Sequence, residues 1–212
     1  MNKQKIKKLL QKDNPVVLEV GAAGGGDSLD FLKEFSQVQL HCFEPDPRAI
    51  ALHKSRIQDS RCQLYEIAMS DTNGQAEFYQ SSGQHPKYTS IHDWSASSSL
   101  KAPKEHLKLY PWCTFDTNIK VPTCRLDTWA EEHQIGEVDF IWADVQGAEE
   151  ELIKGGLKTL SRTRYFYTEY YNKEIYQGQP NIERIKSLIP AFKDIEYYKG
   201  NVLFKNLELV DR

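Results

Sequence analysis

The stretch from Val17 to Leu32, VLEVGAAGGGDSLDFL, constrains the fold more than any other part of the chain. Val16–Val20 is a short apolar run between Pro15 and Gly21, the pattern of a strand buried on both faces of a parallel sheet. A glycine-rich loop follows, and Asp27–Phe35 then places Leu29, Leu32 and Phe35 at helical spacing. A strand that turns through glycines into a helix opens a doubly wound α/β sheet, in which ligands bind beyond the carboxyl ends of the strands. The loop is therefore where a site is expected.

Later segments repeat the alternation. Val38–Phe43 and Cys62–Ala68 read as the second and third strands, with a helix between them that Asp46 caps and Pro47 opens. Gln75–Tyr79 reads as an added antiparallel strand after the turn at Asp71–Gly74. Ile119–Arg125 is strand-like and Leu126–His133 is a short helix. Val138–Ala143 is the fourth core strand, followed by a helix over 148–154 that Gly155-Gly156 ends with a left-handed cap. Arg164–Tyr170, a helix over Ile182–Leu188, and a hairpin of Phe192–Tyr198 with Asn201–Lys205 around Lys199-Gly200 complete the chain. The pattern predicts one α/β domain over 1–212, a mainly parallel sheet with helices on both faces and at least one antiparallel strand at its far end.

Two segments stand outside this alternation. Residues 1–14 form a basic helix, read as a solvated cap over the sheet edge. Residues 80–118 lack sustained periodicity but carry three of the six histidines and two of the four tryptophans. A stretch of roughly 40 irregular residues inside a compact domain is uncommon unless it serves as a lid or binding loop. Its aromatics argue against simple disorder.

Composition removes several function classes. The net charge of −3 lacks the basic excess of a general nucleic-acid binder, so no nucleic-acid partner is expected. No apolar run approaches the roughly 20 residues of a membrane span, and the charged amino terminus lacks a signal region. The four cysteines form no Cys-x-x-Cys pair, so free buried thiols in a reducing, cytoplasmic compartment are expected and no metal site is assigned.

Within the loop, Gly21, Gly24, Gly25 and Gly26 allow positive φ and let a ligand approach the backbone. The dinucleotide fingerprint fails: starting at Gly21 its third position is Ala23, and starting at Gly24 its sixth is Leu29. A nicotinamide-dependent oxidoreductase is disfavoured accordingly. The Walker pattern fails too, since no Gly-Lys-Ser/Thr follows. Glu19, at the strand end, would repel phosphate and suits a cationic ligand bearing an amino group. Glu44 ends the second strand, where a carboxylate accepts hydrogen bonds from both ribose hydroxyls, and Pro45 biases it toward extended backbone.

These segments resemble the FkbM-type S-adenosylmethionine-dependent methyltransferases. The likeness runs from about Val16 to Lys205 through LEVGAAGG, CFEPDP, EIAMSDTNGQAEFY, VPTCRLDTWAEEH and VDFIWADVQGAEEELIKGG, whose DVQGAE is similar to the family's D-V-x-G-A-E signature. The resemblance implies a Rossmann-like class I methyltransferase with a seven-stranded, mainly parallel sheet and an antiparallel terminal hairpin. It also implies S-adenosylmethionine as donor, lying over Gly21, Ala22, Gly24 and Gly25, with its ribose on Glu44 and its adenine near Ile67 and Ala68. S-adenosylhomocysteine is the implied product. The family often has Asp at Glu19 and Asn at Ala23; the second departure removes a polar group from the loop.

Methyl transfer from a sulfonium needs alignment and the handling of one proton. Asp144, at the end of the fourth strand, is the favoured group for orienting or deprotonating an acceptor hydroxyl, with the donor's amino group as its other partner and helix capping as its structural role. Glu169, at the end of the fifth strand, is the second catalytic candidate, balanced against pairing with Arg162 or Arg164. Glu149 is read as a first-turn acid favoured by the helix dipole. A divalent metal shared by Asp144, Glu149 and Glu169 would suit hard oxygen ligands, but the sequence does not demand one. His85, His92 and His106 are candidate bases. Trp94, Trp112, Tyr88 and Tyr110 could stack on a sugar, although packing within the insert is favoured for most of them; Trp129 and Trp142 read as domain core. The expected activity is O-methylation of a small molecule or carbohydrate, with the 80–118 insert over the acceptor. The rival is a non-catalytic donor-binding module that recruits a partner through the insert.

Overall fold

The computed structural model describes residues 1–88 and 93–209. Its elements in chain order are α1 (Lys3–Leu10), β1 (Val16–Val20), α2 (Gly26–Glu34), β2 (Gln39–Phe43), α3 (Pro47–Arg56), β3 (Cys62–Tyr65), β4 (Ala68–Ser70), β5 (Gly74–Gly83), α4 (His106–Leu109) and β6 (Cys113–Arg125). There follow α5 (Leu126–Glu132), β7 (Val138–Ala143), α6 (Glu149–Gly155), α7 (Leu157–Ser161), β8 (Thr163–Glu169), α8 (Ile182–Leu188), β9 (Phe192–Tyr198) and β10 (Asn201–Asn206).

The main sheet has seven strands in the order β3-β2-β1-β7-β8-β10-β9. The first five run parallel, and β10 pairs antiparallel with both β8 and β9, so the expected seven-stranded sheet with a terminal hairpin is the one that forms. Strand order reverses between β1 and β7, which puts the loops after these two strands side by side.

Both faces of this sheet are buried, which explains why its central strands are continuous apolar runs. Alternate residues serve alternate faces. Leu18, Val20, Ile141, Phe166 and Phe204 join Trp129, Leu152, Leu160 and Ile185 from α5, α6, α7 and α8 in one core. Val17, Phe140, Trp142, Tyr165 and Leu203 pack on the other face with Ile6 and Leu10 from α1 and Phe31 from α2.

Four local readings are corrected. The amino-terminal helix is no solvated cap: Ile6 and Leu10 are buried, each such side chain contributing about 1.5–3 kcal/mol. Lys3 is buried beside them, with its ammonium over the Trp142 ring and paired to Asp27. The predicted third strand divides at Glu66-Ile67, so that β3 stays in the main sheet while β4 joins a second sheet of order β4-β6-β5. The added antiparallel strand belongs to that second sheet and continues to Gly83, while β6 begins at Cys113, so the irregular part of the insert shrinks to 84–112 with α4 inside it.

The fourth correction concerns Gly155-Gly156. Gly156 caps α6 at φ −125°, not in the left-handed region. The pair is required by packing instead. A side chain on Gly155 would overlap the Ser70 carbonyl, and one on Gly156 would press on Leu126. Asp46, by contrast, caps α3 as read, accepting from Arg48 N at 3.0 Å.

Candidate active site

The turn after β1 is shaped by its neighbour across the switch point. Asp144 N donates to Val20 O at 2.8 Å, and Gly21 N and Ala22 N both donate to Phe43 O. Gly21 has φ +86°, and a Cβ there would overlap the Asp144 carbonyl oxygen. This glycine lets the loops after β1 and β7 touch. Gly25 also has positive φ and caps α2 at its amino end, whereas Gly24 and Gly26 have no positive φ. Side chains on Gly24 and Gly25 would strike Leu52, His53 and Ile57 of the α3 region, so their smallness serves helix packing. Ala23 takes φ +44°, a conformation that asparagine tolerates better than alanine.

A cleft with about 630 Å³ of atom-free space, its open mouth included, lies across these loops. Gly21, Ala23, Glu44, Ala68 and Asp144 line it, together with an apolar wall that includes Phe43, Ile67, Met69, Phe78 and Leu100. Ala22, Gly24 and Gly25 do not line it. Neither does Glu19, which period-two alternation turns to the face of Val17. It lies buried beneath α2, accepting from Ser28 Oγ at 2.6 Å and Cys42 Sγ at 3.3 Å.

Glu44 is held by its own backbone surroundings. One carboxylate oxygen accepts from Ala23 N and the other from Asp46 N, each at 2.8 Å. Each oxygen keeps a second lone pair for a ligand. Burial pushes its pKa up to about 7, against the pull of those two amides.

A second cavity adjoins the first and shares Asp144, Gln146 and Ala96 with it. Its walls are aromatic (Tyr88, Trp94, Tyr110, Trp112, Tyr171 and Tyr176), with His85 and His106 among them and Asp27, Asp144 and Glu169 supplying carboxyls. His85 sits among the rings of Tyr88, Trp94 and Trp112, with centroids 4.6–4.7 Å away. The insert's aromatics therefore pack on one another and form a cavity wall at once. His106 is buried against Tyr110, Phe115 and Tyr176, and burial pushes its pKa down to about 4, leaving it neutral. His92 lies outside the described residues.

Gln146 joins the two spaces. Its amide nitrogen donates to Asp144 Oδ1 and, at 3.0 Å, to Glu169 Oε2. Its amide oxygen accepts from Tyr176 Oη at 2.9 Å, and Tyr176 also reaches the Ser97 carbonyl at 2.8 Å. Gly147 makes room for this tyrosine, since a Cβ there would lie 2.9 Å from that of Tyr176, and its φ of +96° disfavours any other residue. Sequence reasoning overlooked Gln146 and Tyr176. Gln146 stands two residues after Asp144 in a quoted motif and could have been found; Tyr176 carries no signal of its own.

Burial raises the pKa of both Asp144 and Glu169, and the Asp144 charge pushes Glu169 further. Glu149 is fully buried, accepts from Gly147 N at 3.2 Å, lines neither cavity, and is pushed by burial up to about 7. Among the described residues, the ligand atoms of Asp144, Glu149 and Glu169 do not converge as a metal site would require; the set that does is Cys42, His53 and Cys62.

The insert is tied down by polar contacts. Arg48 pairs with Asp46 and Asp93 and donates to Ser81 O, while Asp46 also accepts from Gln80 and Ser98. Lys104 N and His106 N donate to Ile175 O, joining the insert to the loop after β8.

A family model described as the methyltransferase FkbM domain matches residues 19–198. The chain is 41% identical over 211 residues to 2-O-methyltransferase NoeI of Sinorhizobium fredii (strain NBRC 101917 / NGR234), covering 97% of this chain and 85% of that protein. Among solved structures it is similar in fold to an rRNA methylase from Streptococcus thermophilus (TM-score 0.52, 10% identity, 97% of this chain and 94% of that one). A putative rRNA methylase from Clostridium thermocellum is likewise similar (TM-score 0.53, 8% identity, 98% and 97%). With the switch-point cleft, the DVQGAE turn and this match over most of its length, the chain belongs to the FkbM methyltransferase family.

Proposed function

We propose that this methyltransferase transfers a methyl group to a hydroxyl of a small molecule or carbohydrate held in the aromatic cavity, with Asp144 receiving the proton. The observation that carries this reading is the meeting of two cavities at Asp144 and Gln146. The relative's description as a 2-O-methyltransferase supports oxygen as the acceptor atom.

Bound S-adenosylmethionine supplies an already activated methyl group on a sulfonium. The residues present fit it. Glu44 offers two oxygens with free lone pairs to the ribose hydroxyls, and Ile67, Ala68, Met69, Phe78 and Leu100 offer an apolar wall to the adenine. Gly21 and Ala23 give the loop side of the cleft, and Asp144 stands at its junction with the second cavity. Glu44 and Asp144, both raised in pKa by burial, favour a cationic ligand, whose charge offsets that burial.

On the acceptor side, flat aromatic faces beside carboxyls suit a ring that carries hydroxyls. Asp144 orients such a hydroxyl and takes its proton; Gln146, donating to both Asp144 and Glu169, holds Asp144 in place. The described part of the 80–118 insert supplies much of this cavity's wall. A net charge of −3 and the acids at the junction disfavour a nucleic-acid acceptor. Four free thiols support a reducing, cytoplasmic compartment, and no described helix is long and apolar enough to cross a membrane.

The test is Asp144→Ala assayed with a panel of glycan and small-molecule hydroxyls. Turnover is expected to fall about 10²–10⁴-fold while S-adenosylhomocysteine still binds. Unchanged turnover removes Asp144 from its role, and retained donor binding in a wild-type protein that methylates nothing points to the non-catalytic module.

A further inference from the structure

Behind the glycine loop, away from both cavities, lies a group of soft ligands that no step of methyl transfer uses. Cys42 on β2, His53 on α3 and Cys62 at the start of β3 place their ligand atoms within 4.8 Å of one another. Cys42 and His53 are fully buried. The two sulfurs are 3.5 Å apart. Ser28, in the first turn of α2, brings its hydroxyl to 3.5 Å from Cys42 Sγ and 3.1 Å from His53 Nε2. Glu19 then accepts from Ser28 at 2.6 Å.

We propose that Cys42, His53 and Cys62 bind one zinc ion, with the Ser28 hydroxyl at the fourth position and Glu19 orienting that hydroxyl from behind.

The edge lengths fit. With Zn–S near 2.3 Å and Zn–N or Zn–O near 2.1 Å, a tetrahedral site has edges of roughly 3.8 Å between sulfurs, 3.6 Å from sulfur to oxygen and 3.4 Å from nitrogen to oxygen. The corresponding separations of 3.5, 3.5 and 3.1 Å need shifts of only a few tenths of an ångström. Two thiolates and an imidazole are the soft set that selects zinc over magnesium or calcium. Binding displaces the two thiol protons to solvent.

A disulfide explains the cluster less well. In the parallel register Cys62 lies opposite Leu40, and Cys42 opposite Leu64, so the cysteines are a diagonal pair. Strands about 4.8 Å apart with a two-residue offset of about 6.6 Å put such Cα atoms roughly 8 Å apart, beyond the reach of about 4.4–6.8 Å that a disulfide spans. An ion bridges the sulfurs without moving the strands.

Such an ion would fasten β2, α3, β3 and the first turn of α2 directly behind the loop. His53 and Ile57 already wedge against Gly25, and Arg56 donates to Gly24 O at 2.9 Å. Metal occupancy would therefore stiffen the segment that shapes the cleft.

The experiment titrates chelator-stripped protein with Zn²⁺ by calorimetry, and separately with Co²⁺, reading the thiolate-to-cobalt charge-transfer band. One equivalent should bind with a Kd of about 1 µM or tighter and raise the melting temperature. Cys62→Ser and His53→Gln, each confirmed as folded by circular dichroism, should weaken binding at least about tenfold and diminish the cobalt band. Cys124→Ser should change neither. Absence of stoichiometric binding overturns the proposal, as does binding indifferent to both Cys62→Ser and His53→Gln. A peroxide-driven Cys42–Cys62 disulfide in protein that takes up no metal would overturn it equally.

Discussion

The cleft beneath the β1 loop and the aromatic cavity under the insert share Asp144 and Gln146, yet side chains play a far larger part in building the second. The cleft stands on the ends of parallel strands whose residues are buried on both faces, and its shape comes from backbone meeting backbone at Gly21 and Asp144. The aromatic cavity stands on a loop that adds side-chain ties, Arg48 to Asp46 and Asp93, Ser98 to Asp46 and Tyr176 to Gln146, to a few backbone bonds such as Lys104 N and His106 N to Ile175 O. A backbone-built site tolerates little change in its glycines. A site held by side chains can change its lining while the sheet stays intact, which is how one donor can serve many acceptors.

The largest expected effect belongs to the sheet side, where buried acids accumulate. Glu19 titrates at about 8 and Glu44 at about 7 in the folded protein, both raised by burial from an ordinary value of 4.5. Between these limits the folded state holds more protons than the unfolded chain, so stability is full at low pH and falls as pH rises through the folded values. Chemical denaturation of unliganded protein at pH 5 and pH 8.5 should differ by something on the order of 4 kcal/mol from Glu19 alone. Glu19→Gln should flatten that slope, and a stability independent of pH in the wild type would contradict the assignment.

Next comes the separation of the two ligands. If Glu44 meets the ribose as proposed, Glu44→Gln removes that charge and leaves an acceptor poorer by about 1.5–3 kcal/mol, roughly 10–100-fold in donor Kd. Acceptor KM should stay near the wild-type value. Trp112→Ala should do the reverse, raising acceptor KM about tenfold through loss of a ring contact worth roughly 1 kcal/mol and some buried area, with donor Kd unchanged. If either variant moved both constants together, the two spaces would be a single site.

The smallest effect concerns Ala23, which occupies positive φ without the side chain best suited to it. Ala23→Asn should relieve under about 1 kcal/mol and raise the melting temperature by about 2 °C. A lowered melting temperature would mean that the loop is shaped by packing around the methyl group instead.

Sheet and site were unevenly legible. The strand tips, the failed dinucleotide spacing and the placement of Glu44 and Asp144 at strand ends along the cleft could be read because each depends on what immediately precedes it in sequence. The same period-two rule, applied one residue further, places Glu19 with Val17 under α2 and out of the cleft. Gly24, Gly25 and the Gly155-Gly156 pair read as conformational glycines, but several of them are small because a neighbour leaves no room. A composition of glycines does not say which reason holds.

Periodic burial of apolar residues on both faces is a property of the chain alone, and it determined the mainly parallel sheet and its closing hairpin; the count of seven strands followed from the family resemblance. Tertiary structure decided which side chains share a space: Tyr176 with Gln146, the insert's aromatics with Glu169, and Cys42 with His53 and Cys62. Those contacts join residues from separate elements, and no local pattern records a distance that only the folded backbone sets.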